Sequence, residues 1–318
     1  MVAEPKRQSD RSLLHPPVRR MLDSVEQTVW NSPYFKKFGR VGYTIETFRS
    51  LERAAFLWGK GRTATDFSKI GLSSRAKYAN PSVAKVSWLT KPQYTMHYQR
   101  VAFDLVLAKK LGRKFTDLIW SRFYQGENLY ARVGAIATDV GFRSFESSYQ
   151  ADSFHFELPI VMQPEDVGSC FAFSLINAKQ KIEKSWRVKK KDECWKVANK
   201  LYLDHKAIGG SHPRDVFPLA VEKGIITGFE RVSIEDRKDH SFWKKNARKG
   251  VVIFQRQRAT SKSRLENIQE GKGIEGHAYV YDSYDHNTKG LWCRNSHSDV
   301  AMFLLTDLSV IGAAYIIR

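Results

Sequence analysis

The order of apolar segments in the second half of the chain constrains the fold most. One long helical segment comes first, and the strand-like runs follow it. Residues 170–186 predict a helix: Phe171, Ala172, Phe173, Leu175, Ile176 and Ala178 are apolar. Lys179, Lys181 and Lys184 mark a wetter C-terminal end, where cations complement the helix dipole. A shorter helix is expected over 216–223, stopped by Gly224. Apolar and branched runs at 250–256, 277–281, 291–294 and 310–317 then read as strands. A leading helix followed by a set of strands predicts an α+β domain.

The first half is less regular. Residues 1–20 are polar and contain Pro5, Pro16 and Pro17, so they read as a flexible basic arm. Residues 21–155 read as a mostly helical region. Val18, Met21, Leu22, Val25 and Val29 recur at helical spacing, as do Val101, Leu105 and Ala108. Residues 60–95 read as loop-rich, and 126–158 give no firm assignment. Hydrophobic residues make up 42% of the 318, enough to bury a real core.

Three short segments carry chemistry. Gly168-Ser169-Cys170-Phe171-Ala172-Phe173-Ser174 puts a cysteine where a helix N-terminus stabilises a thiolate. Gly276-His277-Ala278 puts a histidine at the mouth of a strand, and Arg294-Asn295-Ser296-His297 follows another. An amide oxygen from Asn295 beside His277 would orient the ring and leave its other nitrogen facing Cys170. That is the thiol–imidazole–orienter logic of nucleophilic catalysis. A lone cysteine at a helix start is usually a small buried hydrophobe; the ordered set of three is what distinguishes this one.

In that order the segments resemble the papain and cathepsin cysteine proteases, with their Gly-Ser-Cys-Trp-Ala-Phe-Ser, His-Ala and Asn-Ser-Trp runs. Gly209-Gly210-Ser211-His212-Pro213 is similar to the family's cleft-lining Gly-Gly-aromatic-Pro segment, and Lys249-Gly250-Val251-Val252-Ile253 to its Gly-Pro-Val strand. The resemblance covers residues 156–318. It implies a papain-like fold, a helical domain plus a β-barrel domain, with residues 21–155 as a prosegment-like or accessory region. It implies Cys170 as nucleophile, His277 as general acid/base and Asn295 as orienter. Gly209 and Gly210 would bind substrate. The oxyanion hole would use the Cys170 N–H and, provisionally, Gln163, which lies one residue further from the cysteine than the family spacing.

The departures are specific. Val167 stands where the family has a cysteine, Phe171 replaces a Trp, and His297 replaces the Trp that shields the Asn–His bond. His277 and Asn295 follow Cys170 by 107 and 125 residues, short of the roughly 130–150 usual there. The function implied is thiol-dependent peptide hydrolysis. The alternative is a catalytically silent papain-like binding module.

Cys170, Cys194 and Cys293 are too few for a disulfide framework, and an odd number leaves one thiol free. A reducing compartment, cytoplasm or nucleus, is expected; the Arg and Ser content of residues 1–20 leaves organelle import open. No C-x-x-C spacing points to zinc, and neither a metal nor a cofactor is expected. A peptide or protein is the expected substrate. The net charge of +19 is spread over both halves and suits an acidic protein or nucleic acid as partner, although no nucleic-acid motif is present. Lys189-Lys190-Lys191 reads as a solvated loop. No apolar run approaches the roughly 20 residues of a membrane span.

Overall fold

The computed structural model describes residues 2–87, 89–144, 153–164, 168–204, 212–255, 263–274, 276–297 and 300–318. The chain divides into two compact units, Met1–Leu158 and Pro159–Arg318.

The first unit runs α1 (Pro16–Asn31), α2 (Pro33–Lys37), β1 (Val41–Glu46), α3 (Leu51–Gly59), α4 (Ala64–Lys69), β2 (Ala102–Leu111) and β3 (Lys114–Ile119). Then come β4 (Phe123–Tyr124), β5 (Glu127–Asn128), α5 (Leu129–Val140), β6 (Arg143–Ser144) and β7 (His155–Glu157). Pro16 and Pro17 open α1, where their missing N–H groups would lack helical partners anyway. Val18, Leu22, Val25 and Val29 are its buried stripe.

The unit is not mostly helical. Five of its seven described strands form an antiparallel sheet in the order β1-β2-β7-β6, with β3 also on β2, while β4 and β5 pair with each other. The segment containing Val101, Leu105 and Ala108 is largely strand. Ala102, Phe103, Leu105, Val106, Leu107 and Ala108 are all buried, so β2 is covered on both faces and lacks the alternation that reveals a half-buried strand. Gly112, at φ 59°, turns β2 into β3 without a Cβ penalty. Residues 1–20 are not a free arm either. Thr47 N–H donates to Gln8 O at 2.7 Å, Glu4 pairs with Arg53 at 2.6 Å, and α1 starts at Pro16.

The second unit opens with α6 (Cys170–Ile182), α7 (Lys184–Arg187), α8 (Lys191–Leu203) and α9 (Pro213–Glu222). It continues with β8 (Phe229–Arg231), α10 (Ile234–Lys238), α11 (His240–Lys245), β9 (Gly250–Gln255) and α12 (Arg264–Gln269). It ends with β10 (Ala278–Asp285), β11 (Gly290–Arg294), β12 (Met302–Leu305) and β13 (Ile311–Ile317). Lys191 therefore starts a helix rather than ending a loop.

The α+β reading holds, but the barrel does not. The described strands form an open antiparallel sheet, β12-β11-β10-β9-β13-β8, whose outer strands each have one neighbour. Alternation sorts its two faces. Val252, Ala278 and Val280 pack with Phe173, Ile176 and the rest of the α6 cluster. Val251, Ile253, Tyr279 and Tyr281 pack with Trp243 on the other face.

Helix α6 is central, buried along Cys170–Gln180. The wet end expected from its lysines begins only at Lys184, which is exposed. Lys179 is 5% exposed, and Lys181 reaches the sheet, donating to Tyr281 O at 2.7 Å and Lys249 O at 3.0 Å.

Candidate thiol site

Cys170 is the first residue of α6, and Ser169 precedes it without a side-chain cap. The helix entrance therefore keeps N–H groups for another acceptor. The Ser169 hydroxyl is buried with no partner among the described residues, at a cost of about 1–3 kcal/mol. Phe171 anchors the turn, 5.2 Å from the Phe254 ring and 6.1 Å from Phe217.

His277 enters the sheet just before β10. Gly276, at φ 62°, makes the turn that admits it. The helix and strand are tied below the site, where the Ser174 hydroxyl donates to Ala278 O at 2.8 Å. The backbone N–H groups of Ala278, the residue after His277, and of Phe171 and Cys170 itself act to lower the Cys170 thiol.

The Asn295 amide fixes the state of the imidazole. Its Nδ2 donates to Val300 O at 2.8 Å, and its Oδ1 accepts the His297 N–H at 3.1 Å. The amide cannot be flipped without losing both bonds. His277 Nε2 lies 2.8 Å from that Oδ1 and must be the donor. A neutral His277 then carries its proton on Nε2, leaving Nδ1 as the basic nitrogen. The bond is dry: Asn295 is 0% and His277 7% exposed. His297, in the expected shield position, sets its ring edge-on to His277 with centroids 6.2 Å apart.

Gln163 is held from two sides. Its N–H donates to Ser296 O at 2.7 Å, and its Oε1 accepts the Ser296 hydroxyl at 2.8 Å. Two residues earlier, Val161 is clamped by Asn177 of α6, whose Oδ1 accepts Val161 N–H at 2.7 Å and whose Nδ2 donates to Val161 O at 3.2 Å. The strap carrying Gln163 is thus fastened both to the cysteine helix and to the asparagine turn. Sequence spacing gave no hint of the role of Ser296. Gly209 and Gly210 lie outside the described residues.

Burial pushes the Cys170 thiol up, and the three backbone N–H groups only partly offset it. The resting group is therefore a thiol. All three cysteines are free and buried, and Cys194 and Cys293 are both 0% exposed against 8% for Cys170. An alkylating reagent should modify Cys170 first. Its rate should climb as pH rises beyond the usual thiol range, rather than stay flat from pH 5 as a preformed thiolate–imidazolium pair would give. Mass mapping of the adducts against pH tests both points; equal labelling of the three thiols would count against a distinctive Cys170.

Among the described residues, the one set of three ligand atoms in mutual reach lies in the first unit, at His97, Asp104 and His155. No helix there or elsewhere among the described residues is long and apolar enough to cross a membrane. No family model matches the chain, and no curated protein matches it.

Proposed function

We propose that the second unit is a papain-like thiol hydrolase that cuts peptide bonds, with Cys170 as nucleophile, His277 as general acid/base and Asn295 as its orienter. The observation carrying this reading is the buried His277–Asn295 bond, with its tautomer fixed, one residue from Ala278, which the cysteine helix holds through Ser174. The resemblance of the three segments to the family supports it independently.

Because the resting thiol is neutral, the chemistry begins with proton transfer. His277 Nδ1 takes the thiol proton as sulfur attacks the amide carbonyl carbon. The imidazolium is steadied by Asn295 Oδ1. The carbonyl oxygen becomes an oxyanion, for which the Cys170 N–H and the Gln163 side-chain amide are the proposed donors. Holding the Gln163 Oε1 on Ser296 turns its NH₂ to other acceptors. Collapse breaks the C–N bond, and His277 passes its proton to the leaving amine. His277 then deprotonates a water that attacks the thioester, and sulfur leaves with its proton restored.

One observation favours a second reading, a silent papain-like binding module. The thiol is 8% exposed and pushed up rather than down. The basic surface would then recruit an acidic protein or a nucleic acid. A peptidyl vinyl sulfone separates the two readings. The hydrolase forms one covalent adduct, on Cys170, and cleaves members of a peptide library under reducing conditions. The binding module retains peptide with its thiol unmodified and cleaves nothing, which would refute the hydrolase.

A further inference from the structure

We infer that the first unit holds one first-row divalent transition metal through His97 Nε2, His155 Nδ1 and Asp104 Oδ1. Topology brings the three together. Asp104 on β2 and His155 on β7 are directly opposed in the antiparallel register, so their side chains leave the same face of the sheet. His97 lies on the turn that leads into β2, which ends with Arg100 N–H donating to His97 O at 3.1 Å.

The three atoms form a nearly equilateral triangle. His97 Nε2 is 2.9 Å from Asp104 Oδ1 and 3.0 Å from His155 Nδ1, and His155 Nδ1 is 3.0 Å from Asp104 Oδ1. Protons alone cannot satisfy all three edges. Each ring nitrogen aims either one hydrogen or one lone pair inward. With hydrogens on both, two N–H groups confront each other. With a hydrogen on one, the other's lone pair meets the carboxylate. With none, three sets of lone pairs converge.

A cation above the triangle resolves every edge. Three ligands about 2.1 Å from a metal at right angles to one another, one face of an octahedron, lie about 3.0 Å apart; the tetrahedral spacing is nearer about 3.4 Å. Two imidazoles and a carboxylate suit iron, cobalt, nickel, manganese or zinc rather than calcium, which takes oxygen ligands.

The surroundings have the form of an outer ligand shell. His155 Nε2 faces Glu157 Oε2 at 3.4 Å, so the ring can donate to a carboxylate while Nδ1 coordinates. Arg49 lies 3.6 Å from the second oxygen of Asp104 and is itself held by Glu46 at 2.6 Å, which offsets its charge. His97 is 1% exposed, and its Nδ1 is buried with no partner among the described residues, so the outer-shell acceptor seen for His155 has no counterpart there. Asp104 also borders a cavity of about 210 Å³, which neither histidine lines.

The test titrates the reduced, chelator-cleared full chain with Co(II) alone, followed by visible absorption and by metal analysis after gel filtration. One equivalent should bind, without the near-ultraviolet charge-transfer band of cobalt–thiolate ligation. Asp104→Asn and His155→Ala should each weaken binding by about 100-fold or more, with unchanged far-ultraviolet circular dichroism. His286→Ala, at an exposed histidine, should change nothing. In the unaltered protein, Zn(II) should shift the ring resonances of His97 and His155 among the nine histidines, a readout that needs no variant to fold. No Co(II) binding at tens of micromolar, unchanged affinity in both variants, or shifts at other histidines would overturn the assignment.

Discussion

Cys170→Ser should lower the proposed peptide hydrolysis by about 10³-fold or more while leaving the fold intact. The thiol is the proposed bond-forming atom, and a hydroxyl at the same position is a far weaker nucleophile toward which His277 is not tuned. The substitution is nearly isosteric at a helix start, and the neighbouring core contacts of Phe171 with Phe217 and Phe254 are untouched. His277→Ala should cost a similar factor, and the double variant should be no slower than either single one, because the two act as one device. Asn295→Ala should cost less, about 10- to 100-fold, since the ring stays in place but loses its tautomer. Steady-state rates on one peptide, with a thermal midpoint for each variant, check the series. Hydrolysis by Cys170→Ser at the unaltered rate would remove the mechanism.

Asp282→Ala should destabilise the chain by about 3–5 kcal/mol at neutral pH, the usual cost of stripping one partner from a buried pair. Asp282 sits at the bulge of β10, and its Oδ1 takes Arg294 Nε at 2.6 Å with both side chains under 7% exposed. Burial alone would raise this carboxyl, but Arg294 and Lys181 outweigh burial and hold it below its usual value. Burial pushes the Lys181 ammonium down to about 7. Without the carboxylate it can shed its proton further, whereas the Arg294 guanidinium cannot. The stranded charge lies directly before Asn295, so the site should loosen with the fold.

The pH dependence follows from the direction of the Asp282 shift. A depressed carboxyl contributes its full stability above the unfolded value near 3.8 and loses it as pH falls through the lower folded value. The gap between wild type and Asp282→Ala should therefore close in acid. Urea unfolding at pH 7 and in steps below pH 4 measures it. A gap under about 1 kcal/mol at pH 7 would mean that the pair holds nothing together.

The legible parts of the molecule were those encoded locally. Strands β9, β11 and β13 announced themselves as apolar, branched runs between turns, and α6 as a long apolar segment. The expected His277–Asn295 bond is present because each residue adjoins a strand of one hairpin. Strand β2 mimics a helix in sequence because burial on both faces erases its alternation and leaves Leu105 and Ala108 at helical spacing. The open edges of the sheet were invisible because closure depends on partners far away in sequence. Ser296 gave no signal as the clasp of Gln163. His97, Asp104 and His155 share no motif spacing; strand register alone brings Asp104 opposite His155.

The bond from Ser174 to Ala278 joins residues 104 apart in the chain. During synthesis, which proceeds from the N-terminus, α6 leaves the ribosome long before β10 exists. The nascent polypeptide thus carries a cysteine without its base, and the asparagine that sets the base's proton arrives later still. A chain able to cut peptides would acquire that ability only after residues as far as Asn295 had been made and folded.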